Sequence, residues 1–403
     1  MQQLEALVRD ARDQVSPSED RVLRSAGGPQ PEFQVLALTG PEAEVARQMQ
    51  ICNACRYCEG LCAVFPAMEM RQSFAAGDLN YLANLCHGCG ACYYDCQFAP
   101  PHEFAIDVPR TMAQLRVDSY EAYAWPRALA PLFRRNGLAV ALIAAASVAA
   151  FILGFAATID PAALFAAHSG PGSFYKLMPH GAMAGLFGAV FLFALFAMGM
   201  GVRNFLRDIG ESASGIAAPA PLAQAVRDAG TLRYLDGGGP GCMNESERPD
   251  DDRRIYHHLT FYGFMLCLAS TSVATVYHYA LGRIAPYPWW DLPVVLGTIG
   301  GIGLVAGPLG LLRAKRRRDT QTRGFAHHGM DTAFLVMLLL TSVTGLALLV
   351  LRETAAMGTL LALHLGVVFA LFLTMPYGKF VHGLYRFAAL ARYARERRTH
   401  GAG

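Results

Sequence analysis

Cys52, Cys55, Cys58 and Cys62 follow the spacing C-x2-C-x2-C-x3-C, and Cys86, Cys89, Cys92 and Cys96 repeat it. Two residues between cysteines let a loop curl both sulfurs onto one metal centre, and the third follows the same curl. In two-cluster ferredoxins the fourth cysteine of each run ligates the cluster of the other run. The spacing therefore predicts one 4Fe-4S cluster on Cys52, Cys55, Cys58 and Cys96, and a second on Cys86, Cys89, Cys92 and Cys62. Zinc ribbons also separate cysteines by two residues, but they use pairs, not runs of four. Four disulfides would need an oxidising compartment. Residues 1–15 have neither the basic start nor the apolar core of a secretory signal, so the cysteines are expected to stay reduced. Ala63 and Gln97 stand where a proline usually follows the fourth cysteine, a departure that removes no ligand. The long interval between Cys62 and Cys86 suits a helical ferredoxin domain.

Beyond this segment the composition changes. The chain is 53% hydrophobic and only 16% charged, with a mean hydropathy of +0.28, against roughly 25% charge in soluble proteins. Six runs come near the ~20 apolar residues needed to span a bilayer: about 136–159, 180–202, 257–281, 292–312, 330–351 and 357–378. Connections on one side carry 22 Lys and Arg; those on the other carry Lys176, Arg283 and Arg352. The positive-inside rule then sets both termini and the cysteine domain in the cytoplasm, on an inner membrane. The reading is all-α: a lead-in over 1–45, a helical two-cluster ferredoxin domain over 46–120, and a six-helix transmembrane haem-binding bundle over 121–398 with a cytoplasmic loop at 203–256. A net charge of +3 gives no reason to expect nucleic acid.

Ionisable residues at membrane depth are costly and mark functional sites, and neutral imidazole is an axial haem ligand. The haem candidates are His180, His257, His258, His278, His327, His328, His364 and His382. His364 and His382 are 18 residues apart, five full turns of one helix, so one face would offer a ligand near each membrane surface. Helical phase favours His257 over His258 as the residue sharing a face with His278. His257, His258, His327, His328 and His382 would form a cytoplasmic layer, and His180, His278 and His364 an outer one. His87, His102, His168 and His400 read as loop or solvent residues, Cys267 as an inert thiol and Cys242 as a loop residue. The glycines from Gly297 to Gly310 lie in an apolar run with no strand before them, so they read as helix packing or clearance for a macrocycle, not as a nucleotide loop.

CNACRYCEGLCAVFPAM at 52–68, CHGCGACYYDCQFAPPHEFAIDVP at 86–109, GGGPGC at 237–242, HHLTFYGF at 257–264 and MPYGKFVHG at 375–383 together resemble the tricarballylate/citrate utilization protein B family. The resemblance implies a membrane protein, similar in its helical part to the haem subunit of respiratory nitrate reductase. Such a protein carries two 4Fe-4S clusters and b-type haem, one or two copies. It takes electrons from a partner FAD-containing dehydrogenase and passes them to quinone. The expected role is an electron-transfer subunit of an oxidoreductase complex without substrate chemistry of its own, since no dinucleotide fingerprint is present. The rival readings are a redox-sensing or assembly iron–sulfur membrane protein without quinone reduction, and a heterodisulfide-reductase type subunit, whose catalytic cysteine-rich domain is missing.

Overall fold

The computed structural model describes residues 40–319 and 328–400, and among them there is no β-sheet, only an isolated bridge between Cys242 and Asp250. The all-α expectation therefore holds. The cysteine segment is built from α1 (Pro41–Cys55), α2 (Val64–Glu69), α3 (Ala76–Leu85) and α4 (Val108–Tyr123). Asp107 starts α4 by accepting a bond from the Arg110 N–H, with a proline in the first turn, as helix starts favour. These helices bury Met49, Phe65, Leu79, Leu82 and Met112 among themselves.

Six further helices are long and apolar enough to cross a membrane: α5 (Asn136–Thr158), α6 (His180–Asp208), α8 (Asp252–Leu281), α9 (Leu292–Arg317), α10 (His328–Leu351) and α11 (Met357–Thr374). Only 11% of the apolar stretch of α8 is buried inside the protein. Its outward side chains, such as Leu268 and Val276, face whatever surrounds the bundle, and an apolar surface of that size calls for lipid. The glycine run of α9 serves packing: a Cβ on Gly300 would sit 2.8 Å from the Gly263 carbonyl of α8, so the two backbones touch. Several helices outrun their apolar stretches at the cysteine end, where polar residues find partners. Asp208, the last residue of α6, accepts bonds from Asn80 at 2.9 Å and from the Tyr123 hydroxyl at 2.5 Å.

Two elements are not legible in the hydropathy pattern. The Pro/Ala stretch of loop 203–256 forms α7 (Pro219–Gly230), with proline in its first turn. The basic C-terminal stretch forms α12 (Val381–His400), which buries Tyr385, Ala389, Leu390 and Ala394. One apparent helix is two: α11 ends at Thr374, Met375–Tyr377 is a single tight turn, Gly378 is extended, and α12 then begins. Pro376 lacks the N–H that would continue the ladder, and its ring crowds the preceding turn. The expectation that His364 and His382 project from one continuous helix face is thus overturned.

The cysteine segment is ionically joined to α12. Glu396 accepts from Arg71 at 2.5 Å, Arg392 at 2.8 Å and the Tyr81 hydroxyl at 3.0 Å, while Asp78 takes Arg71 at 2.8 Å. Asp331 of α10 likewise bridges Lys315 of α9 and Lys379 of the turn before α12, at 3.2 and 2.8 Å.

Candidate redox centre

The eight cysteines fall into two groups of four, and the grouping crosses the two runs. Cys52, Cys55, Cys58 and Cys96 line one cavity of about 330 Å³ with Ile51, Phe65 and Phe98. Cys62 instead lies beside Cys86 and Cys89, and Cys92 beside Cys89, Cys62 and Cys86. The two runs fold alike. The residue after the second cysteine takes the left-handed conformation in each, Arg56 at φ 56° and Gly90 at φ 91°. Burial first, and then the charge of neighbouring thiols, pushes Cys52 and Cys58 up to about 12 and raises Cys62 and Cys92 as well. Thiols gathered in this way ionise only against a metal's positive charge. Among the described residues, no three His, Cys, Asp or Glu side chains converge closely enough to hold a single ion. The thiols of Cys52, Cys55, Cys58 and Cys96 surround a volume, as the ligands of a polynuclear cluster must.

The two groups differ in exposure. Cys55 is exposed and Tyr57 beside it is 72% exposed, whereas Cys86 and Cys89 are buried. The cover over the inner group comes from loop 203–256. Leu232, Leu235 and Cys242 pack on Cys89 and Ala91, and the Met243 N–H donates to the Cys89 carbonyl at 2.9 Å. Cys242 is fully buried in this cover, which a loop assignment from sequence did not foresee. Gly241, at φ 124°, lies so close to the Asp250 backbone that a Cβ would come within 2.7 Å of its carbonyl. Only glycine suits that combination.

The inner group leads directly to histidines. His87, read from sequence as a loop residue, is only 6% exposed and donates through its Nδ1–H to the Leu85 carbonyl, 3.0 Å away. Burial, then the charge of Arg386, holds it well below its usual range and so neutral. Beyond it, His257 at the start of α8 and His382 at the start of α12 face each other with ring centroids 6.2 Å apart and planes at 76°. An atom between two imidazoles, with metal–nitrogen bonds of about 2 Å, sets ring centroids roughly 6 Å apart. His382 Nδ1 sits 2.5 Å from the Lys379 carbonyl, which turns Nε2 outward as metal-binding histidines require. Burial, then the charge of Lys379, holds His382 well below its usual range, in the neutral form that ligates. His257 Nδ1 is buried with no hydrogen-bond partner. Phe264 and Phe334 each pack edge-on against Phe380, two positions before His382. These residues fit a b-type haem iron.

The other haem candidates disperse. His258 turns to Tyr262 on its own helix, so of the doublet His257 is the one aimed at His382. His180 and His278 stack in parallel at 3.7 Å, 16° apart, flanked by Tyr175. That arrangement leaves no room for an atom between the rings. His364 meets the Thr344 hydroxyl through Nδ1 at 2.9 Å and, among the described residues, no other histidine ring. His327 lies outside the described residues, and of His328 only the backbone is described.

Residues 131–403 match the family model for citrate utilization protein B, and residues 45–122 match its Fer4-like domain. A citrate utilization protein B from Escherichia coli is 51% identical over 362 residues, which covers 90% of this chain and 94% of the relative. No solved structure matches the chain. The family match spans both the cysteine segment and the helical bundle, so the chain belongs to the citrate utilization protein B family.

Proposed function

We propose that this chain is a membrane electron-transfer subunit that reoxidises a partner FAD-containing dehydrogenase of citrate or tricarballylate utilization and delivers the electrons to quinone. Cys52, Cys55, Cys58 and Cys96 would hold one 4Fe-4S cluster, and Cys86, Cys89, Cys92 and Cys62 the other. His257 and His382 would hold a b-type haem. When bound, these groups supply one-electron steps between a two-electron donor and the quinone pool. The protein's own residues ligate, exclude water and set the sequence of sites. The single observation that carries the reading is that sequence: an exposed thiol group, a buried one, His87, and then the paired histidines where two helices enter the bundle.

The exposure gradient supports entry of electrons from a soluble partner at the Cys55 side. The cover of Leu232, Leu235 and Cys242 would keep water from the inner group. The positive-inside count supports a cytoplasmic site for both groups, in the inner membrane.

The purified protein should contain about eight iron and eight acid-labile sulfide per chain beyond haem iron, from two four-iron clusters. Cys62→Ser should abolish the electron paramagnetic resonance of the cluster shared with Cys86, Cys89 and Cys92 while the other signal persists. Loss of the Cys52-side signal instead would mean uncrossed ligation, and two zinc without sulfide would end the cluster reading. His382→Ala should remove a b-haem band from the reduced-minus-oxidised spectrum, and an unchanged spectrum would end that assignment.

A further inference from the structure

Three arginines crowd the space between the inner thiol group and the paired histidines. Arg386 donates to the Cys86 carbonyl at 2.8 Å and toward the Asn84 carbonyl at 3.4 Å. Arg253 donates to the carbonyls of Gly88 at 2.5 Å and His87 at 3.1 Å. Arg116, only 8% exposed, donates to the Cys86 carbonyl, and its Nε is buried without a partner. Every acceptor is a neutral main-chain oxygen between residues 83 and 88. Among the described residues, none of the three arginines forms an ion pair, although Arg71 and Arg392 nearby are paired with carboxylates. Arg116 is buried and Arg253 and Arg386 are half-buried, and charge so clustered and shielded from water is costly unless an anion answers it.

The spacing says which anion these groups await. Arg253 stands four residues before His257 on α8, and Arg386 four residues after His382 on α12. Residues four apart share a helix face, so each histidine carries an arginine about 6 Å along its own helix. Because α8 begins and α12 continues at the cysteine end, both arginines lie on the same side of the histidine pair. Two matched histidines with two matched arginines suit a flat ligand that offers a metal at its centre and two carboxylates on one edge.

We propose that Arg253 and Arg386, backed by Arg116, clamp the two propionate carboxylates of a haem held between His257 and His382. The clamp rests on the haem reading above, and its test separates the two. The full-length protein, purified in detergent and depleted of haem, is titrated by Soret absorbance with ferric protoporphyrin IX and with its dimethyl ester, in which the carboxylates are neutral. The wild type should bind the ester roughly tenfold to a hundredfold more weakly, the range expected for lost charge-assisted hydrogen bonds. Arg386→Gln and Arg253→Gln should shrink that preference to a fewfold, and Arg386→Lys, which keeps the charge but not the fork, should restore part of it. Retained iron and sulfide content in the variants marks an intact inner group. Equal binding of the two porphyrins by the wild type overturns the clamp while leaving the histidine ligation standing. So does an unchanged preference in the glutamine variants accompanied only by a shift in the inner cluster's potential. Failure of either porphyrin to bind the wild type overturns the haem reading and the clamp with it.

Discussion

Replacing Glu396 by Ala tests whether the C-terminal helix is a structural member of the cysteine segment. The carboxylate is half of a network whose Arg71 and Glu396 side chains are 9% and 10% exposed. Breaking a buried pair costs about 3–5 kcal/mol when the partner is stranded. Here the arginines are not fully stranded, because Asp78 keeps Arg71 at 2.8 Å and Arg392 at 3.4 Å. The Tyr81 hydroxyl, in contrast, has Glu396 as its acceptor at 3.0 Å and is fully buried, and an orphaned buried donor costs about 1–3 kcal/mol. The two considerations together place Glu396→Ala at about 3 kcal/mol, the lower end for a buried pair. With ~2.1 cal/mol/K of unfolding entropy per residue, each kcal/mol is worth about 1.2 °C in a chain of 403 residues, so the melting midpoint in detergent should fall by roughly 3–4 °C. Circular dichroism at 222 nm follows the helices, and visible absorbance follows the clusters. Both should shift together, since α12 carries His382 at one end and Glu396 at the other. Glu396→Gln, which keeps an acceptor for Tyr81, should lose less. The exposed pair Arg134–Glu121 supplies the control, and Glu121→Gln should leave the midpoint unchanged. A Glu396→Ala midpoint within 1 °C of wild type would refute the reasoning, because it would mean that α12 is not bound to the segment through this network.

Two smaller perturbations probe other joints. Gly241→Ala should speed loss of the inner cluster to oxygen or chelator, because a Cβ at φ 124° beside Asp250 pushes the cover off Cys89; visible bleaching rates for the two clusters would separate the effect, and equal rates to wild type would count against a shielding cover. Gly300→Leu should prevent α8 and α9 from touching and so reduce haem content by moving His257, while the isosterically mild exposed change Leu268→Ile leaves it alone; haem-to-protein ratios check this.

The sequence alone determined the kinds of part. Two identically spaced cysteine runs and six apolar stretches can be read from local spacing and length, because ligand curl and bilayer thickness act over a few residues to a few turns. The membrane helices, the all-α class and the candidate ligand residues were legible for that reason. Tertiary structure decided which parts meet. His257 and His382 are 125 positions apart and lie on different helices, and a break at Pro376 separates His382 from His364, where phase counting on one helix had joined them. His87 and Cys242 looked like loop residues because their burial comes from chain far away, Tyr234 against His87 and Cys89 and Ala91 against Cys242. Arg253 and Arg386 were counted in the sequence only as basic residues marking a membrane side, and Arg116 had no assignment there. That Arg116, Arg253 and Arg386 converge without a carboxylate depends on three helices closing on residues 83–88, a long-range packing that no local pattern encodes.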